Sequence, residues 1–182
     1  ILSDIKANGD KSVAAYAQKY DGVKKKNLLV AKSEIAETAK QIEPELRKAI
    51  DLAVRNIKSF HSMQRPKSYS VETMPGVKCE RKFLPIENVG LYIPGGSAVL
   101  FSTMLMLGIP AMLAGSKRIV VCSPIREKLE PALAYAAQLV CVDEFYNIGG
   151  VQAIGMMAYG TKTVQKVDKI FGPGNQFVTA AK

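Results

Sequence analysis

One histidine, three scattered cysteines and no CxxC spacing leave this chain short of the residue types from which metal centres and nucleophilic sites are assembled. Zinc needs several N, O or S ligands converging on one point, and the sequence offers no such cluster. Cys79, Cys122 and Cys141 are odd in number and far apart, which fits a reducing cytoplasm rather than a disulfide framework. Cys122, inside Ile119-Val120-Val121-Cys122, is expected to be a buried, inert thiol, and His61 to serve a packed structural role. No run reaches the roughly 18 uninterrupted apolar residues of a membrane span; the longest candidate, Ala98 to Ala114, is broken by Gly108 and Pro110. No GxGxxG follows the first strand-like run of the α/β part with an acid about twenty positions on, and no GxxxxGK[ST] occurs. These absences argue against an ordinary Rossmann protein and a nucleoside triphosphatase. Aromatic residues do not interleave with the cations, so the net charge of +9 reads as a solvated surface. A basic nucleic-acid-binding protein rests on charge alone, with Lys24-Lys25-Lys26 in a polar turn as its densest cluster.

What is present is a periodic, 48% apolar chain of 182 residues, long enough for a substantial core. The N-terminus, Ile1-Leu2-Ser3-Asp4, has neither an initiator Met nor a signal-peptide pattern and reads as entering a helix midway, as a fragment would. Asp10 is placed to cap a helix that ends at Asp21-Gly22. Ser33 and Glu37 mark a second helix, and Pro44 opens a third with Leu46, Ile50, Ala53, Val54, Ile57 and His61 along one face. Residues 1–65 thus form an N-terminal helical segment. Residues 66–88 form a connection with a hairpin turning at Pro75-Gly76. Over 89–182 the rhythm becomes strand, turn, helix, repeated: Val89 to Ile93, Arg118 to Ser123, Glu144 to Ile148 and Lys169 to Phe171 each lead into a helix-like run. The fold class is α/β, an incomplete Rossmann-like, mostly parallel sheet with flanking helices.

In such sheets ligands bind beyond the carboxyl ends of the strands. Three loops meet that description: Tyr92 to Ala98, Gly149-Gly150-Val151-Gln152, and Gly172-Pro173-Gly174-Asn175. Each joins glycine, which lets backbone N–H groups approach a ligand, to one polar group able to orient it: Tyr92, Gln152 or Asn175. Taken singly, each is also an ordinary tight corner. Their recurrence points to a shared nucleotide site.

Taken with their order, these words resemble the histidinol dehydrogenase family. The matching segments are Asn8-Gly9-Asp10, Lys19-Tyr20-Asp21, Asn56-Ile57, Phe60-His61, Pro75-Gly76-Val77, Val89 to Ala98, Gly149 to Ile154, and Val167 to Asn175. The resemblance implies an aldehyde-dehydrogenase-like α/β fold and a cytoplasmic, homodimeric, zinc-bound enzyme. That enzyme oxidises L-histidinol through the aldehyde to L-histidine with two NAD. It also implies that Tyr92, Gln152 and Asn175 contact NAD. Val151 departs from the alanine usual in the family. The zinc ligands and the acid-base pair of the family match nothing here, so the resemblance is to the amino-proximal part of the enzyme, with no catalytic residue and no metal ligand among these 182 positions. The alternative is a stand-alone nucleotide-binding or interaction module without catalysis. Neither reading involves nucleic acid or a membrane.

Overall fold

The computed structural model describes residues 1–23, 27–95, 100–125 and 127–182. The Lys24-Lys25-Lys26 run and the Gly96 to Ala98 part of the first glycine loop lie outside the described residues. Helices α1 (Leu2–Asn8) and α2 (Asp10–Tyr16) meet at Gly9, and a π-helical turn, Ala17–Asp21, extends α2. Strand β1 (Leu29–Val30), α3 (Lys32–Ala39) and α4 (Pro44–Ser62) follow. The hairpin β2 (Tyr69–Met74) and β3 (Val77–Arg81) leads into the repeating part. That part comprises β4 (Asn88–Tyr92), α5 (Phe101–Ala114), β5 (Arg118–Ser123), α6 (Pro131–Leu139), β6 (Glu144–Asn147), α7 (Gly150–Tyr159), β7 (Lys169–Phe171) and α8 (Gln176–Ala181).

The described residues form one five-stranded sheet in the order β1-β6-β5-β4-β7, parallel throughout except for β1, which pairs antiparallel with β6. The mostly parallel sheet expected from the sequence is therefore present, with the edge strand β1 as an addition. Parallel strands buried on both faces need apolar residues at successive positions, and alternation assigns each to a side. Val89, Leu91, Ile93, Ile119, Val121 and Phe145 face one core with α3 to α6; Tyr92, Val120, Cys122, Tyr146 and Ile148 face the other with α1, α2 and α7. Each fully buried Ile, Leu, Met or Phe contributes about 1.5–3 kcal/mol. The helices of the first third thus lie on both faces of the sheet: α1 against α7, α3 against α6, and α4 against α5. They pack on this chain's own helices.

Several local expectations are modified. Gly9, not Asp10, is the cap residue of α2, and the Asp10 carboxylate instead accepts from Thr163 Oγ1 at 2.6 Å. Gly22 ends the π turn in the left-handed conformation, at φ 70°. Along α4 only the middle of the apolar stripe is buried, at Ile50 and Val54, while Leu46 is exposed. His61 is half-buried at the helix end, hydrogen-bonded through Nδ1 to Gln64 Oε1 at 2.7 Å and edge-on to Phe60, not packed in the core. Tyr135 ties α6 to α4 by donating to Asp51 Oδ1 at 2.7 Å under the Arg47 guanidinium. Cys122 is fully buried, and burial pushes its thiol far above the ordinary range. The hairpin turns at Pro75-Gly76 as expected, and its strands are exposed on both faces. One of those faces carries Tyr69, Val71 and Cys79 in register.

At the amino ends of the strands, charge fixes register. Arg118, first in β5, meets Glu144, first in β6, through Nε to Oε1 at 2.6 Å and an Nη2 to Oε2 bond at 3.0 Å. Tyr146 donates to the same Oε2 at 2.6 Å, and Arg118 also reaches the Gln165 carbonyl at 3.1 Å.

Candidate functional site

The order β1-β6-β5-β4-β7 has one reversal. From β4 the chain steps outward to β5 and β6 with α5 and α6 on one face; after β6 it returns through α7 on the other face and pairs β7 to the free side of β4. The crevice beyond the carboxyl ends of β4 and β7 is the switch point, where an open α/β sheet receives ligands. Tyr92 ends β4, and the Gly172-Pro173-Gly174-Asn175 turn leaves β7 on the other side of that crevice.

Gly172 brings the two sides together. Its φ of 131° lies where glycine is favoured, and a Cβ there would stand 2.1 Å from the Tyr92 carbonyl oxygen. Lys182 Nζ donates to the Gly172 carbonyl and lies 5.7 Å from the centre of the Tyr92 ring. Asn175 is the N-cap of α8, its Oδ1 accepting from Phe177 N at 3.1 Å and Val178 N at 3.0 Å. Among the described residues its Nδ2 makes no hydrogen bond, so two donors stay uncommitted at an exposed position.

Gln152 lies in the first turn of α7, whose start meets Tyr92. The Tyr92 hydroxyl accepts from Gly150 N at 3.0 Å, while Asp21 Oδ2 accepts from Gly149 N at 3.0 Å and from Gln152 Nε2 at 3.0 Å. Both Tyr92 and Gln152 are buried. Burial pushes the Tyr92 phenol above its ordinary range, the nearby Asp21 charge adds to this, and the Gly150 N–H opposes it; the hydroxyl stays protonated at neutral pH.

The structure brings Tyr92 and Gln152 into one network and sets Asn175 across the crevice. One part of the sequence expectation changes: the amides of Gly149, Gly150, Phe177 and Val178, which glycine-rich turns would offer to a ligand, are occupied by this chain's own side chains. Asp21 joins this network without a signal in the sequence, because an acid before glycine at a helix end gives no sign of a partner 128 positions away. Among the described residues no three His, Cys, Asp or Glu side chains lie together as a metal site, so these residues do not fit zinc. No helix among them is long and apolar enough to cross a membrane.

The family model for histidinol dehydrogenase matches residues 1–182. The chain is 50% identical over 182 residues to histidinol dehydrogenase of Aliivibrio fischeri and 52% identical over 184 aligned residues to that of Bacteroides fragilis. All of this chain is covered in each case, against 41% and 43% of those proteins. The crystal structure of histidinol dehydrogenase from Elizabethkingia anophelis superposes with a TM-score of 0.93 at 49% identity, again over 100% of this chain and 42% of that one. The chain spans about two fifths of the length of the relatives it matches. By sequence over its whole length and by fold, it belongs to the histidinol dehydrogenase family.

Proposed function

We propose that this chain is the amino-proximal part of an NAD-dependent histidinol dehydrogenase and carries one wall of its coenzyme site. The organisation is an N-terminal helical segment over 1–65, a hairpin connection over 66–88 and the NAD-binding α/β portion over 89–182. The observation that carries the reading is the placement of Tyr92 and Asn175 on the two sides of the β4/β7 switch crevice, with the α7 start that carries Gln152 bonded to Tyr92 through Gly150.

The residues present suit a dinucleotide. Asn175 offers amide donors at the exposed rim, Gly172 lets the β7 turn lie against the Tyr92 backbone, and the buried Tyr92 and Gln152 hold the floor in one geometry. NAD, when bound, supplies the acceptor for the hydrogen lost by the L-histidinol alcohol and then by the aldehyde. This chain's residues bind and orient; they remove no proton. Zinc and the acid-base residues belong to the rest of the enzyme. The full-length enzyme works as a cytoplasmic homodimer in this reading, and the β2/β3 hairpin leaves Tyr69 and Val71 exposed on one face.

The test is Asn175→Asp in the full-length enzyme, following NADH formation with L-histidinol. Aspartate keeps the acceptor that caps α8 and removes the amide donors, setting a negative charge beside an anionic coenzyme. The NAD KM should rise about tenfold with zinc content intact. An unchanged NAD KM would reject Asn175 as a contact and leave only its cap.

A further inference from the structure

We propose that Asp21 is a positioning residue for the coenzyme wall, holding the Gly149-Gly150 turn and Gln152 in register with Tyr92; the proposal rests on the reading that NAD binds at this edge. Three observations lead to it. First, α2 does not end in an ordinary α-helical turn. It runs on into a π-helical turn, Ala17–Asp21, closed by Gly22 N donating to the Ala17 carbonyl, which also accepts from Val23 N at 3.2 Å. Single π turns are uncommon, and they redirect the side chains that follow. This one delivers Asp21 to the start of α7.

Second, one carboxylate oxygen joins two elements of the wall. Asp21 Oδ2 takes the Gly149 N–H and the Gln152 amide, both at 3.0 Å. The first four N–H groups of a helix have no partner within it, and here Asp21 takes that of Gly149 while the Tyr92 hydroxyl takes that of Gly150. The carboxylate sits at the positive end of the α7 dipole, which offsets part of its charge, and its bonded oxygen is directed at this chain's own donors. That favours support over contact.

Third, the network is closed. Among the described residues no buried side-chain N or O atom lacks a hydrogen bond, so removing the Asp21 carboxylate leaves the Gly149 N–H and the Gln152 Nε2 unpaired at once. Gln152 is then free to rotate, and the turn can draw Gly150 away from Tyr92. The effect reaches the coenzyme only through residues that line its site.

The test uses the full-length enzyme with Asp21→Ala, Asp21→Asn and Asp21→Glu. NAD dissociation constants are measured by calorimetry, and KM for NAD and for L-histidinol and kcat at saturation by absorbance. The expected result is NAD affinity lowered about tenfold in Asp21→Ala, with KM for L-histidinol and kcat little moved, and most of the affinity restored in Asp21→Asn, whose amide oxygen can accept from both donors. If Asp21→Ala does not fold by circular dichroism, Asp21→Glu is scored in its place; its longer arm moves the carboxylate off Gly149 and should lower NAD affinity similarly. NAD affinity equal to wild type in the folded variants would overturn the proposal. So would a uniform loss in kcat and both KM values that Asp21→Asn does not rescue. A wild-type enzyme without NAD affinity would remove the coenzyme reading itself, and the role of Asp21 with it.

Discussion

Gly172→Ala is expected to lower stability by about 3 kcal/mol or more and to abolish measurable NAD affinity in the same step. The added methyl would lie 2.1 Å from the Tyr92 carbonyl oxygen and 3.0 Å from its carbonyl carbon. These are backbone atoms of a central strand, so no rotamer change relieves the overlap. The φ of 131° adds strain for any L side chain. Relief requires β7 to move off β4, breaking the pairing of Leu91 with Phe171 and opening the crevice at the point where Tyr92 and the Asn175 turn meet. Denaturant midpoint and calorimetric NAD titration of the full-length enzyme check the two halves. An unchanged midpoint with unchanged affinity would mean that β7 does not lie against Tyr92.

Glu144→Gln is expected to cost about 2–3 kcal/mol, because it leaves the Arg118 guanidinium, held in a largely buried position at the amino ends of β5 and β6, without its bidentate partner. Glutamine retains one acceptor for Tyr146 or Arg118, not both bonds and the charge. The pH dependence follows from the same contact. The Arg118 guanidinium, and after it the Tyr146 hydroxyl, hold the Glu144 carboxyl below its usual range, while burial opposes them. A carboxyl whose folded-state pKa lies below its unfolded value contributes stability that is fully present above the unfolded value. That contribution is lost as pH falls through the folded value. Acid unfolding of wild type should therefore include a component below about pH 4.5 that is absent in Glu144→Gln. Parallel acid limbs in the two proteins would show that the pair contributes nothing to the folded state.

Where a local pattern decides the structure, the sequence is readable. β5 and β7 have the expected ends, Arg118–Ser123 and Lys169–Phe171, because short apolar runs between polar turns leave a buried strand little choice. α3 and α4 appear where Ser33 and Pro44 announce them. The glycine loops fall at strand ends, which is where the sequence sets Tyr92, Gln152 and Asn175. What the sequence hides depends on distant partners. β1 is two residues long and exists only because β6 offers it an edge. The acid at position 10 looks like a cap but answers Thr163, and the acid at position 21 looks like a helix end but answers Gly149. The amides that glycine leaves open are claimed by Asp21, Tyr92 and Asn175, a competition visible only once the chain is folded. The Arg118 and Glu144 charges likewise sit on separate strand starts, and register alone brings them together.

The most direct test of the coenzyme wall is hydrogen exchange of the full-length enzyme with and without NAD. Exchange should slow in peptides spanning Tyr92, Gly149 to Gln152 and Gly172 to Val178, which follow or end β4, β6 and β7 at the carboxyl edge of the sheet. Protection confined to other segments, with these three exchanging at the same rate in both states, would contradict it.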